Sequence, residues 1–571
     1  MSDTNNDRTA SESQPYPRIG VFVCRCGVNI AGFLDTEAVA AYAQTLPGVV
    51  YVKENLFTCA ESGTVEIKRG IEEHHLERVV VAACTPCTHE PLFRAICQDA
   101  GLNPFLFEFV NIREHCSWVH KNSREQATEK AKGLIRMGVA RAAYLEPLEE
   151  ITAEVEPRAL VIGGGVSGMS AALALGDRGV EVVLVERADR LGGRVAQLHS
   201  LAPSGVDAKD LVDGLIQRVQ GHSKIRVKTA SRIHGVAGYI GNYQITLQGQ
   251  GGGEEVKVGA IVVATGSDTF IPNGLYEYDG EHVIDLMELE RRMGDGGVDA
   301  HDVVFILCAG SRDENRVYCS RICCMAGLKN AILLKEAYPD IGVTVLYRDL
   351  MTTGIRNEEI LREAKERGVR FVHFAPQNPP VVENGTVRVS SPLLGRELML
   401  PADLVVLATP LVPAEGASDL SRLLKVPLDE NGFFLEAHVK LRPVDFATDG
   451  IFVCGSAHWP ASVEESITQA LGAAGRASIP LALGTVKVEP IVSFLIDEDL
   501  CRGCGLCSAL CPYGAIEIVE TENGPKARMI SVACKGCGVC GATCYRRAIK
   551  MSHFSDEQLG AQIDAAFREG V

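Results

Sequence analysis

The sequence lacks most of what marks membrane, secreted and nucleic-acid-binding proteins. No run of 18 or more uncharged apolar residues occurs in its 571 residues, so no integral membrane segment is expected. The first residues, MSDTNNDRTASESQPYP, contain no apolar stretch and do not read as a signal peptide. Their polarity predicts a disordered tail over 1–17, and a cytoplasmic location is expected. Positive charge is in deficit, with a formal net charge of −17. General nucleic-acid binding needs a basic face and is therefore excluded. No Ser–His–Asp or paired-carboxylate arrangement argues for hydrolysis.

Glycine and cysteine are plentiful. Fifty-seven glycines and 46% apolar residues suit α/β domains with tight strand–helix turns, and the length predicts three or four domains at roughly 150 residues each. Twenty cysteines in a compartment that keeps thiols reduced point away from disulfides. Buried cysteines can be plain small hydrophobes, but most of these fall at ligand-like spacings.

Residues 18–145 alternate apolar runs (RIGVFVC, VVYVKENLFTC, RVVVAAC, FLFEFVNIREHC) with amphipathic stretches, the last from Thr128 to Tyr144. This predicts a parallel sheet covered on both faces. Cys24, Cys26, Cys59, Cys84, Cys87 and Cys116 fall where strands end, the edge at which open α/β sheets place ligands. Cys97 lies mid-helix and is assigned to the core. An acidic linker is expected over 146–157, a nucleotide-binding domain over 158–490, a cysteine-dense module over 491–555 and a terminal helix over 556–571.

In the cysteine-dense module, Cys501, Cys504, Cys507 and Cys511 form C-x2-C-x2-C-x3-C, and Cys534, Cys537, Cys540 and Cys544 repeat it. In such runs the fourth cysteine ligates the other run's cluster. One 4Fe–4S cluster is thus expected on Cys501, Cys504, Cys507 and Cys544, the other on Cys534, Cys537, Cys540 and Cys511. A pair of zinc sites is the alternative. Pro512 follows the first run, but Tyr545 follows the second.

Gly163, Gly165 and Gly168 make G-x-G-x-x-G between an apolar strand and a helix, and Glu186 ends the next strand. The glycines permit a tight turn, a pyrophosphate sits on the helix amides, and the acid takes a ribose hydroxyl. NAD and FAD remain equally served by this motif. The residues after it, Arg187 and then Leu191 to Arg194 with Gly193, resemble the FAD-binding half of thioredoxin-reductase-like flavoproteins. IVVATG, ending at Gly266, resembles their second signature. GIFVCGSAHWP and ESITQALGAAGRA resemble their flavin-contacting end, which implies contacts from Gly455, Ser456, Gln469 and Ala470. Ser456 stands where that family usually has aspartate.

That family's second nucleotide fold is matched by strands DVVFILC and GVTVLYRD, a half expected at about 301–375. Its glycine loop is missing: Cys308, Cys319, Cys323 and Cys324 stand there instead. Without glycines a backbone cannot close on a pyrophosphate, so the phosphate site reads as exchanged for a metal cluster.

From Arg18 to Ser552 the chain resembles the A-type subunit of heterodisulfide reductase, above all in CRCGVNIAGFLD, VVVAAC, NIREHCSWVH and YCSRICCM. The resemblance implies a cytoplasmic oxidoreductase component of three parts: an N-terminal parallel α/β iron–sulfur domain, a thioredoxin-reductase-like FAD domain and a two-cluster α+β ferredoxin module. It implies FAD and four 4Fe–4S clusters. It assigns the central cluster to Cys308, Cys319, Cys323 and Cys324, and an N-terminal one to Cys26, Cys59, Cys84 and Cys116, with Cys24 as a fifth candidate. Implied partners are B- and C-type subunits, a hydrogenase or formate dehydrogenase donor, and ferredoxin. Some members perform flavin-based bifurcation. Here the stretch from Ser200 to Gly266 has no cysteine, so the ferredoxin module inserted in larger members is missing. Ile355 and Arg356 stand where bifurcating members tend to carry lysine. Both departures weigh against bifurcation. Cys84-Thr-Pro-Cys87 admits a rival, thiol–disulfide exchange at a helix N-terminus, and a purely structural scaffold is another. His120 and His458 are expected to be satisfied structural histidines.

Overall fold

The computed structural model describes residues 16–249, 252–488 and 494–567. Most of the expected tail, the expected boundary at 490/491 and the last four residues lie outside them. The chain forms two compact units. One joins residues up to Ile151 with those from Lys487 onward; the other is Thr152–Val486.

The first unit opens with β1 (Ile19–Cys24), α1 (Thr36–Ala43), β2 (Val49–Asn55), α2 (Glu61–His74), β3 (Arg78–Ala83), α3 (Pro86–Asp99), β4 (Phe107–Asn111) and α4 (Arg124–Ala142). The strands are parallel in the order β2-β1-β3-β4. Every residue of β1 is buried, as a strand covered on both faces requires. Ile30, Leu34, Ile135 and Val139 pack one face; Ile67, Phe93 and Cys97 pack the other. Asp35 caps α1 by accepting from the Ala38 amide at 3.0 Å. Helix α4 starts four residues earlier than Thr128 and lies so close to β4 that a Cβ on Gly138 would come within 2.4 Å of Val110.

The second unit begins with β5 (Arg158–Ile162), α5 (Val166–Gly176), β6 (Glu181–Val185), α6 (Ala208–Gly221), β7 (Ile225–Lys228) and β8 (Ala260–Val263). A second half follows: β9 (Val283–Asp285), α7 (Leu286–Asp295), β10 (Asp302–Ile306), α8 (Cys323–Ala337), β11 (Gly342–Tyr347), α9 (Ile355–Glu366), β12 (Arg370–His373) and β13 (Leu404–Leu407). The chain then returns through β14 (Ile451–Val453) and α10 (Val463–Leu483). Two five-stranded sheets result, β14-β8-β5-β6-β7 and β9-β13-β10-β11-β12, with parallel pairing throughout. The uncharged helix α5 is buried on all sides. Ser462 and Glu465 form a reciprocal capping box at the start of α10. Within the linker expected over 146–157, Ile151–Glu154 is a strand.

The cysteine-dense module returns to the first unit as β15 (Phe494–Ile496), α11 (Leu506–Leu510), β16 (Ile516–Thr521), β17 (Gly524–Met529), α12 (Val539–Thr543), β18 (Ile549–Met551) and α13 (Asp556–Phe567). Its duplication is visible in the backbone: Gly505 and Gly538, preceding α11 and α12, share φ 76° and ψ −5°. Helix α13 is held to the N-terminal domain. Arg136 donates to the Ala565 carbonyl at 2.7 Å, and Gln558 donates to the Tyr144 carbonyl at 3.0 Å. Among the described residues, no helix is long and apolar enough to cross a membrane.

Candidate flavin and iron–sulfur centres

The glycine loop after β5 is tight for reasons a side chain would violate. Gly163 has φ 112°, and a Cβ there would meet the Ala264 carbonyl oxygen at 2.3 Å. A Cβ on Gly168 would lie 1.8 Å from the Gly163 oxygen. Gly165 precedes the first turn of α5, leaving that turn's amides facing outward. Glu186, at the end of β6, accepts from the Gly164 amide at 2.6 Å and the Ala188 amide at 2.8 Å.

Gly163, Gly165 and Glu186 wall a cavity of about 1040 Å³ inside the second unit, together with Arg187, Gly193, Arg194, Gly266 and Ser456. Arg194 is anchored on the segment after Gly266 through the Ser267 carbonyl, Thr269 and Asp268. Four buried hydroxyls on the wall (Ser200, Thr265, Ser267 and Thr409) find no hydrogen-bond partner among the described residues. Buried hydroxyls are ordinarily satisfied, so the wall is built for a polar ligand. Its size, its glycines and its helix N-terminus fit a dinucleotide such as FAD.

Four residues expected to touch the cofactor do not line the cavity: Gly168, which packs against the Gly163 oxygen, Gly455, Gln469 and Ala470. Gln469 stands behind the wall, accepting from the Gly455 amide at 3.1 Å. Ala470 faces the core and is fully buried. Gly455, at φ 69°, is also set back: a Cβ there would strike the Ser167 hydroxyl at 2.2 Å. Ser456 holds the expected place on the wall. His458 is a satisfied core histidine, 2.8 Å from a Glu436 carboxylate oxygen, and burial lowers its pKa.

The four central cysteines come together where the glycine loop is missing. Cys308 follows β10 at φ 60°, and Cys323 and Cys324 open α8. Burial pushes the Cys324 thiol up to about 11, and the neighbouring Cys308 and Cys319 push the same way. Cys323 and Cys308 are raised by burial as well. Thiols crowded in this manner resist ionisation alone and become thiolates on a cationic metal. The Arg321 amide points at the Cys319 sulfur, 3.3 Å away. Cys319 and Cys323 line the flavin-type cavity itself.

The same wall carries a pair that sequence reasoning missed. Lys329, on α8, forms an ion pair with Glu290 of α7 and donates to the Ser200 carbonyl at 3.0 Å. Their side chains are only 9% and 3% exposed, and burial lowers the lysine pKa despite the carboxylate. A lone lysine in CCMAGLKNAILL was the available signal.

In the N-terminal domain the cysteines brought together are Cys24, Cys26, Cys59 and Cys84. Cys26 and Cys59 are each raised first by burial, then by Cys24 and Cys84, and the Thr58 amide lies 3.4 Å from the Cys24 sulfur. Cys116 stands apart. The turn Arg113–Ser117 after β4 directs its thiol to the Ala127 carbonyl at 2.9 Å, in the core beneath α4. Cys24, the fifth candidate, thus lies with Cys26, Cys59 and Cys84, and Cys116 does not. Cys87 is exposed in the first turn of α3.

In the ferredoxin-like module, Cys501, Cys504, Cys507 and Cys544 line one recess of about 30 Å³. Cys534 is raised by burial and then by Cys511 and Cys537, and Cys540 likewise by Cys534 and Cys537. The fourth cysteine of each run thus lies beside the other run. Amides of Ala527, Ala515 and Gly536 approach the sulfurs of Cys501, Cys511 and Cys534 at 3.3–3.4 Å, the type of contact that tunes cluster potential. Among the described residues, no three His, Cys, Asp or Glu side chains converge tightly enough for a single metal ion.

Residues 157–295 match the family model of pyridine nucleotide-disulphide oxidoreductases, and residues 494–517 that of the 4Fe-4S binding domain. Among curated proteins, the second iron-sulfur A-type subunit of the CoB--CoM heterodisulfide reductase of Methanopyrus kandleri is 40% identical over 654 aligned positions, covering 98% of this chain and all of the relative. The chain belongs to the family of heterodisulfide reductase A-type subunits. Another relative, the A-type subunit of the H(2):CoB-CoM heterodisulfide,ferredoxin reductase of Methanothermobacter marburgensis, is 40% identical and covers 98% of both chains. The corresponding subunit of the H(2)/formate:CoB-CoM heterodisulfide,ferredoxin reductase of Methanococcus maripaludis is 36% identical over 96% of this chain and 98% of its own. The alignments exceed the 571 residues present here, so these heterodisulfide reductase subunits carry residues with no counterpart in this chain. As a member of that family, the protein is an oxidoreductase component for electron transfer through FAD and 4Fe–4S centres. Its fold class is the one expected from sequence, and the 4Fe-4S match displaces the zinc reading for the first cysteine run.

Proposed function

We propose that this chain carries electrons inside a cytoplasmic heterodisulfide-reductase-like complex, using one FAD and four 4Fe–4S clusters. The clusters are assigned to Cys24, Cys26, Cys59 and Cys84; to Cys308, Cys319, Cys323 and Cys324; and to the two crossed sets of the ferredoxin-like module. One observation carries the reading: Cys319 and Cys323 share a cavity wall with the flavin-type glycine fingerprint. FAD, when bound, supplies exchange between two-electron and one-electron carriers. The protein's own part is to hold it on the α5 amides and Glu186, to exclude water with α8, and to keep the Lys329 ammonium at the wall.

The names of relatives support hydrogen or formate as the ultimate donor and ferredoxin as a partner, with B- and C-type subunits completing the complex. Thiol–disulfide exchange through Cys84 and Cys87 is the weaker reading, because Cys84 lies with three other cysteines. Anaerobic purification with metal and flavin analysis tests the proposal. It predicts one FAD and about 16 iron atoms per chain, four clusters of four. An iron content of about eight would reject the two upstream clusters, and a colourless chain would favour a scaffold. Bifurcation would appear as strictly coupled reduction of two acceptors.

A further inference from the structure

Three arginines hold the loop that carries Cys308. The loop turns back on itself, the Ser311 amide donating to the Cys308 carbonyl at 3.2 Å. Both Cys308 (φ 60°) and Arg312 (φ 56°) lie in the left-handed region. A non-glycine residue stays there only where its surroundings hold it. For Arg312 the holding contacts are on view. One end of its guanidinium approaches the Cys308 sulfur at 4.0 Å, and the other donates to the Asp349 carboxylate at 2.7 Å. Its own carbonyl accepts from Arg348 at 2.9 Å. Arg316 pins the same loop, donating to the Gly310 carbonyl at 3.2 Å and lying 3.7 Å from the Phe270 ring centroid. Burial raises the Cys308 thiol, and Arg312 and then Arg348 are the charges that oppose it. The Arg312 side chain is 27% exposed, whereas that of Asp349 is 59% exposed.

A cubane held by four thiolates is anionic, and each electron it gains adds further negative charge. Net charge and hydrogen bonds to the sulfurs are the levers that set cluster potential. A guanidinium fixed against a ligand sulfur therefore stabilises the reduced form more than the oxidised one. Asp349 acts in the opposite sense, but its carboxylate is the more exposed member of the pair, and water screens it. We propose that Arg312 is the fixed counter-charge of the central cluster, a positioning residue that favours its one-electron reduction and that Asp349 holds in place and partly offsets. The inference deepens the reading of Cys308, Cys319, Cys323 and Cys324 given above and rests on it. On reduction one electron enters the cluster from the neighbouring flavin; no bond to the cluster forms or breaks, and Arg312 keeps its proton.

The test is a redox titration of the anaerobic holoprotein followed by electron paramagnetic resonance. The central cluster is the signal that disappears when Cys308, Cys319, Cys323 and Cys324 are all changed to serine. Arg312→Gln is expected to make one-electron reduction of that cluster about tenfold less favourable, a fall of about 59 mV. Arg312→Lys keeps the charge without the fork and should stay within about threefold of wild type. Asp349→Asn removes the offsetting carboxylate and should shift the equilibrium about threefold the other way. An Arg312→Gln protein that keeps its iron and a wild-type potential overturns the proposal. So does Arg312→Lys moving as far as Arg312→Gln, because shape and not charge would then be at work. Should Arg312→Gln shed the central cluster, Asp349→Asn decides: a raised potential supports the proposal, and an unchanged or lowered one overturns it. A four-serine variant that loses neither signal nor iron would instead overturn the cluster assignment on which the proposal rests.

Discussion

Replacing Lys329 by methionine leaves the Glu290 carboxylate buried beside the cavity with its cationic partner gone. Glu290 is 3% exposed and keeps one other donor, the His199 amide at 2.9 Å. Removing one member of a buried pair costs about 3–5 kcal/mol; the remaining amide contact places this case at about 3 kcal/mol. Glu290→Gln in the same background removes the stranded charge and still accepts from His199, so the double variant is expected to recover about 2 kcal/mol. The assay is urea unfolding of the flavin-bearing unit, followed by flavin fluorescence at a fixed excess of FAD, since bound ligand shifts apparent stability. A charge effect on the cofactor should accompany it. Lys329→Met leaves a net negative wall and lowers the flavin two-electron potential; Glu290→Gln leaves a net positive wall and raises it. Each shift is expected at about 30 mV, equivalent to about 1.4 kcal/mol. Additive stabilities within about 0.5 kcal/mol, or potential shifts of the same sign, would refute the reasoning.

Three further outcomes are expected. Gly168→Val places side-chain atoms where a Cβ already lies 1.8 Å from the Gly163 oxygen, so FAD should be lost while iron in the ferredoxin-like module is retained, as flavin and iron analysis will show. Cys24→Ser should lower iron by about four atoms per chain, whereas Cys116→Ser should leave iron unchanged and only weaken the core; the reverse result would reinstate Cys116. His553, whose ring nitrogen lies 3.3 Å from the Glu146 carbonyl, has its pKa lowered from 6.5 to about 4 by burial. Its folded pKa lies below the unfolded one, so its contribution is present above pH 6.5 and is lost as pH falls towards about 4. Urea midpoints of the first unit should drop through that window, and His553→Asn should flatten the drop.

Much of this was legible because cluster ligation and dinucleotide binding use short, contiguous spacings. C-x2-C-x2-C-x3-C announces its cluster before any fold is known, and G-x-G-x-x-G with Glu186 announces a strand–turn–helix. Where the site depends on how a turn directs a side chain, the sequence is mute. Cys24 ends β1 and Cys116 follows β4 by five residues, and only the turn over Arg113–Ser117 sends the second thiol under α4. Gln469 and Ala470 share one helix with the capped segment near the cavity, yet one supports Gly455 and the other fills the core. Lys329 and Glu290 are 39 residues apart and meet only because α7 and α8 pack together. The docking of α13 on α4 likewise joins chain ends that no local pattern connects.

Everything proposed for the flavin half turns on a cluster having replaced a phosphate site there. The decisive measurement is anaerobic iron, sulfide and FAD quantitation on wild type and on a variant with Cys308, Cys319, Cys323 and Cys324 all changed to serine. A fall from about 16 to about 12 iron atoms per chain is expected, with the other clusters intact. Equal iron in the two proteins, or tight NADPH binding by the wild type at this half, would contradict the replacement.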